Sequence, residues 1–331
     1  MASIDLEAIG VAADALFAPN APHGCSLALL VLQAGDVCYE RYGVQPDTPF
    51  GPGGPVDEGT TLISWSMAKS ITHAAVGILV GDGVLEVEAP APVPEWRGTP
   101  KEAITLQHLL NMRSGLHFVE DYVDEGVSNC LEMLFGGGAA DVAAYAASLP
   151  LDHEPGTVWN YSSGTTNIIS RIIGDAVAVE GLSRRESMEA FLRDRLFGPV
   201  GMHSAVPKFD DAGTFIGSSY VFATARDFAK FGEFYRHDGV TAEGVRVLPV
   251  GWMDHARSWS AHDDEGGFGY GAQWWLWPEF PGSLACHGYE GQHVVVVPDR
   301  ELVVVHLGKR PAENAPLLQA QLASIIRAAQ A

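Results

Sequence analysis

The sequence is short of basic residues. It holds 20 Lys and Arg against 41 Asp and Glu, a formal net charge of −21. So acidic a chain repels the phosphate backbone of nucleic acids and anionic lipid headgroups, and neither is expected as a partner. Cysteine is equally sparse. Cys25, Cys38, Cys130 and Cys286 show no CxxC pairing and no grouping with histidine, so they read as reduced thiols. His108, His117 and His153 stand near acidic residues but at no metal-binding spacing. Neither a metal nor a cofactor is expected.

A membrane-spanning run is missing too. The apolar stretch at residues 71–80 is interrupted by His73 and ends at Gly81-Asp82-Gly83. The N-terminus carries no basic leader. It reads as an amphipathic helix with Leu6, Ile9, Ala13 and Leu16 inward. The expectation is a cytoplasmic monomer or homodimer without membrane contact.

What is present is an alternation of strand-like and helical runs. "CSLALLVLQ" and "VCYERYG" follow the first helix as strands. From about residue 86 the runs turn helical: "TLQHLLNMRSG", "AADVAAYAASLP", "TTNIISRIIGDAVAVEG" and "SMEAFLRDRLFGPVG". After about residue 205, "ATARDFAKFGEFYRHDG" is an amphipathic helix with Phe228, Phe231 and Phe234 inward. "GYGAQWWLW", "HVVVVP" and "ELVVVHLG" read as strands, and a last helix closes the chain. Trp274, Trp275 and Trp277 read as core plus a cleft wall. The pattern predicts an α/β (α+β) fold. Residues 1–85 and 205–331 would form one discontinuous α/β domain, residues 86–204 a mostly helical insert, with a ligand cleft between them.

Three stretches could carry chemistry. Ser66 and Lys69 in "SMAK" are three residues apart, so a helix sets both side chains on one face. A serine at a helix start lies beside free backbone N–H groups. A lysine in apolar surroundings resists protonation and can take a proton. Of the five lysines, only Lys69 has a serine three residues before it. In "EPGTVWNYSSGTTN", Tyr161 precedes a helix starting near Thr165, and a phenol beside an ammonium can act as general base. In "LACHGYEGQHVVVVP", an edge strand could offer a backbone N–H to a developing oxyanion. No G-x-S-x-G elbow occurs, so an ordinary α/β-hydrolase triad has no anchor.

Taken in order, Ser-x-x-Lys, Tyr-x-Ser and a small-residue strand near the C-terminus resemble the serine β-lactamase and penicillin-binding superfamily. Within it the chain is similar to the class C-related branch, in particular 6-aminohexanoate-dimer (nylon-oligomer) hydrolases and esterases of that fold. "ITLQHLLNMRSGLHFVEDY" and "YVFATARDFAKFGEFYRHDG" add to the likeness, which runs from about residue 60 to 308. The resemblance implies an antiparallel sheet flanked by helices. It also implies Ser66 as acylated nucleophile, Lys69 as its proton partner and Tyr161 as the base. Backbone N–H groups of Ser66 and Cys286 would form the oxyanion hole, and Tyr122, Ser163 and His287 would contact substrate.

One departure bears on substrate choice. The Lys-Thr-Gly or His-Thr-Gly of the oxyanion strand is missing, and with it the cation that grips a β-lactam carboxylate. The expectation is therefore a serine hydrolase acting on small carboxylic esters, with short linear amides second. The alternative is a β-lactamase, or a penicillin-binding sensor that acylates with little turnover.

Overall fold

The apolar runs near both ends of the chain pair with one another. In the structure, a computed structural model that describes residues 4–48, 51–121 and 128–329, they build one eight-stranded antiparallel sheet. Its strands are β1 (Cys25–Gln33), β2 (Asp36–Tyr42), β3 (Ala261–Asp263), β4 (Phe268–Tyr270), β5 (Trp275–Leu276), β6 (Leu284–Gly288), β7 (Gln292–Val297) and β8 (Leu302–Lys309). Their order across the sheet is β2-β1-β8-β7-β6-β5-β4-β3. β1, β7 and β8 are covered on both faces, which is why they read as continuous apolar runs rather than as alternation.

Helices α1 (Leu6–Leu16) and α5 (Ala315–Ala328) cover one face. Ile9, Ala13 and Leu16 pack there with Leu322 and Ile326 over Leu29, Val295 and Val304. Leu6, expected inward, is 51% exposed, because the buried stripe is rotated toward Ala12 and leaves Leu6 at its edge. The other face carries α2 (Ala68–Gly81) and α4 (Ala225–Arg236), with Phe228, Phe231 and Phe234 of α4 buried as expected. α3 (Ser163–Ala176) packs in the same apolar cluster as α2, through Ile168, Ile169 and Ile172. Between residues 86 and 204 the named elements are all helical. Among the described residues no helix is long and apolar enough to cross a membrane.

"GYGAQWWLW" is not one strand. It is split into β4 and β5 by a turn in which Gln273 has φ +60°. Its side chain accepts from Thr166 Oγ1 at 2.8 Å and its carbonyl from Ser70 Oγ at 2.8 Å. The left-handed turn is thus held by α2 and α3, far away in sequence. Trp274 and Trp277 are buried, whereas Trp275 is partly open.

α2 fills the centre of the molecule. His73, which interrupts its apolar run, bonds Tyr235 Oη at 2.8 Å and His255 Nδ1 at 3.0 Å, and burial holds it neutral. Trp252 donates to the His73 carbonyl at 3.2 Å and lies flat against the helix at Gly77. A Cβ at Gly77 would sit 2.4 Å from Trp252 Nε1. Gly77→Ala gains about 1 kcal/mol of helix propensity but overpacks a rigid indole, a cost of about 1–3 kcal/mol. With so short a contact the loss prevails. The variant should unfold at lower denaturant concentration than the parent with an unchanged m-value.

Candidate active site

Three chain segments converge on one buried ammonium. The first is the single tight turn Trp65–Met67, which runs directly into α2 and leaves Ser66 at the helix start, beside its unsatisfied N–H groups. Lys69 lies one turn on and its Nζ donates to Ser66 Oγ at 2.9 Å. The same Nζ donates to Ser163 Oγ at 2.9 Å, at the start of α3, and to the Ser218 carbonyl at 3.1 Å. Lys69 is only 1% exposed. Three acceptors match the three N–H donors of an ammonium, and an unmatched buried cation would be costly. All three Lys69 donor positions thus find an acceptor.

Ser163 does not hold this position by itself. Its backbone N–H and its hydroxyl both donate to Glu120, at 2.7 and 2.6 Å. With its hydrogen given to Glu120, Ser163 Oγ turns a lone pair to Lys69. The carboxylate also sits at the N-terminus of α3, where the dipole favours negative charge. Glu120 is the residue that sequence reasoning missed. It lies in "FVEDY", 43 positions from Ser163, and no local spacing marks it.

Tyr161 closes the group. Its hydroxyl is in electrostatic contact with Lys69 and Ser66, and Lys69 Nζ stands 4.7 Å from the ring centroid. Trp275, Tyr270 and Trp159 wall the ring at centroid distances of 5.3, 5.8 and 6.5 Å. Burial pushes the hydroxyl above the ordinary phenol value, and the neighbouring Lys69 charge offsets this only in part. An ammonium alone would lower it. Here desolvation wins, and the phenol keeps its proton at neutral pH.

β6 closely approaches the turn that carries Ser66. A Cβ at Gly288 would lie 2.3 Å from the Ser64 carbonyl, so only glycine lets β6 approach this closely. Cys286, the expected second donor, lies deeper in the hairpin, opposite Val294. Its thiol is turned to Ser70 of α2 and burial pushes it up to about 12. The strand end at Gly288, two residues on, is what adjoins the Ser64 carbonyl, and Tyr289 packs on Trp65. His287 accepts from Trp277 Nε1 at 2.8 Å and stacks on Trp275 at 5.4 Å. It reaches the site through Trp275, and burial lowers it to about 3, so it stays neutral. Tyr122 lies outside the described residues. Among the described residues no group of three or more His, Cys, Asp or Glu is placed to hold a metal ion.

A family model described as Beta-lactamase matches residues 20–325. The 6-aminohexanoate-dimer hydrolase of Paenarthrobacter ureafaciens is 26% identical over 307 residues, 87% of this chain and 73% of that protein. Esterase EstB of Burkholderia gladioli is 28% identical over 176 residues, 48% of this chain and 44% of its own. Among solved structures, a class C beta lactamase from Rhodobacter sphaeroides superposes with a TM-score of 0.68 over 97% of this chain and 99% of that one. At 17% identity this last is a likeness of fold.

Glu120→Gln tests the support beneath Lys69. A glutamine offers one acceptor oxygen where two donors of Ser163 now bond, so one buried donor loses its partner at a cost of about 1–3 kcal/mol. The variant should unfold earlier and turn over ester more slowly. Unchanged stability and rate together would show that the carboxylate has no part in the site.

Proposed function

The chain belongs to the beta-lactamase family, and we propose that within it the protein hydrolyses small carboxylic esters, with short linear amides second, through an acyl-enzyme on Ser66. The observation that carries this reading is the joint hold of Lys69 on Ser66 and Ser163, with the Tyr161 hydroxyl against Ser66. Ser66 Oγ attacks the carbonyl carbon. Its proton goes to the Lys69–Tyr161 pair, and Tyr161 passes a proton to the departing alkoxide or amine. The tetrahedral oxyanion is bound by the Ser66 N–H and the amide at the end of β6, between Gly288 and Tyr289. Water then attacks the acyl carbon by the same proton route in reverse. Loss of either oxyanion donor costs about a hundredfold or more in rate.

Tyr161 carries its proton at rest, so the form in which it acts as base has lost that proton. Because burial raises Tyr161, the loss falls on the alkaline side. The kcat/KM for a neutral ester should climb steadily from pH 7 to about pH 10. Tyr161→Phe should fold and lose about two to four decades of turnover. A Tyr161→Phe enzyme with near-parental activity at neutral pH would place the base elsewhere.

Substrate choice follows from what β6 offers. Cys286, His287 and Gly288 at its end supply no cation, since His287 is held neutral. A β-lactam carboxylate would find no charge partner on this strand, and the net charge adds a long-range repulsion. An ester also leaves more readily than an amide, because an alkoxide needs less protonation than an amine. The kcat/KM for p-nitrophenyl butyrate should exceed that for a chromogenic cephalosporin by more than about tenfold, with a linear amide dimer between. A cephalosporin that matches the ester would return the protein to the β-lactamases, and stable acylation without turnover would make it a penicillin sensor.

A further inference from the structure

The two oxyanion donors come from segments more than two hundred residues apart, and such a hole works only if their separation is held to about half an ångström. Backbone contact at Gly288 brings the segments together, but side chains next to each donor tie them. Trp65 immediately precedes Ser66, and Glu290 immediately follows Tyr289. Trp65 Nε1 donates to Glu290 Oε2 at 3.2 Å. Lys309, at the end of β8, donates to the same oxygen at 3.1 Å. The Trp65 ring is flanked by Tyr220 and Tyr289 at 5.7 and 5.8 Å.

Both bonded residues have unusual backbones. Trp65 has φ +43° and Glu290 φ +61°, left-handed values that bulky L-residues adopt rarely. Such conformations persist only where the surroundings over-determine them, and they concentrate at functional sites. Here the two are joined by a hydrogen bond, one on each side of the hole.

We propose that Glu290 is a positioning residue for catalysis: anchored by Lys309, it accepts the Trp65 indole N–H and so fixes the distance between the Ser66 N–H and the Gly288–Tyr289 amide. This rests on the reading of those two groups as the oxyanion donors. The bridge touches no reacting atom. Its loss should weaken binding of the tetrahedral oxyanion and leave ground-state binding of a neutral ester nearly as it was.

The experiment compares Glu290→Ala, Glu290→Gln, Trp65→Phe and the double variant Trp65→Phe/Glu290→Ala in ester kinetics, in the rate of labelling by a fluorophosphonate and in thermal unfolding. Glu290→Ala and Trp65→Phe should each lower kcat and the labelling rate about ten- to a hundredfold, with KM changed less than about threefold. The double variant should be no worse than the poorer single one, because both remove the same bond. Glu290→Gln keeps an acceptor for the indole and should restore most of the rate. The proposal is overturned if the single variants keep parental kcat, if their losses simply add, or if Glu290→Gln falls as far as Glu290→Ala. Gly288→Ala separates the underlying reading, since its Cβ must push β6 away from the Ser64 carbonyl. Full activity in Gly288→Ala would remove the assigned hole and the clamp with it. A slow Gly288→Ala enzyme beside fast Trp65→Phe and Glu290→Ala enzymes would remove the clamp alone.

Discussion

The buried Lys69 ammonium is the constraint on which the site depends. A cation out of water must have every donor matched, and its acceptors here come from three places: the Ser66 turn, the start of α3 and the Ser218 carbonyl. Satisfying the charge therefore also sets Ser66 against the helix that follows Tyr161. Glu120 extends the same logic by one bond, taking both donors of Ser163 so that its oxygen faces Lys69. The ammonium organises its own surroundings.

The aromatic packing does the opposite job. Trp159, Tyr270 and Trp275 pack around Tyr161, and desolvation raises a hydroxyl that the nearby cation would otherwise lower. The proton is held between two groups rather than released at rest. His287 serves this packing from behind Trp275, held neutral by burial and oriented by Trp277. His287 is thereby part of an aromatic wall and offers no charge to the site.

Much of this was legible in the residues. The sheet strands β1, β7 and β8 announce themselves as buried apolar runs, and the amphipathic helix of Phe228, Phe231 and Phe234 buries those rings. The split of "GYGAQWWLW" was not legible, because the Gln273 turn is held by Thr166 and Ser70 rather than by a glycine or proline signal. The close approach of β6 was not legible for a related reason. Composition places small residues around Cys286, but only packing shows that the strand meets the Ser64 carbonyl at Gly288.

Read alone, the chain settles whatever local spacing can settle. Three residues on a helix bring Ser66 and Lys69 together, a serine caps the helix after Tyr161, and alternating runs make a sheet with helices on it. Tertiary structure decides the rest: the Ser218 acceptor of Lys69, the upward shift of Tyr161, the partnership of Glu120 with Ser163, and the bond from Trp65 to Glu290. Helical periodicity is a property of neighbouring residues and survives in any sequence that folds as a helix. Contacts between segments dozens or hundreds of residues apart, and the dielectric around a buried group, exist only once the layers have packed.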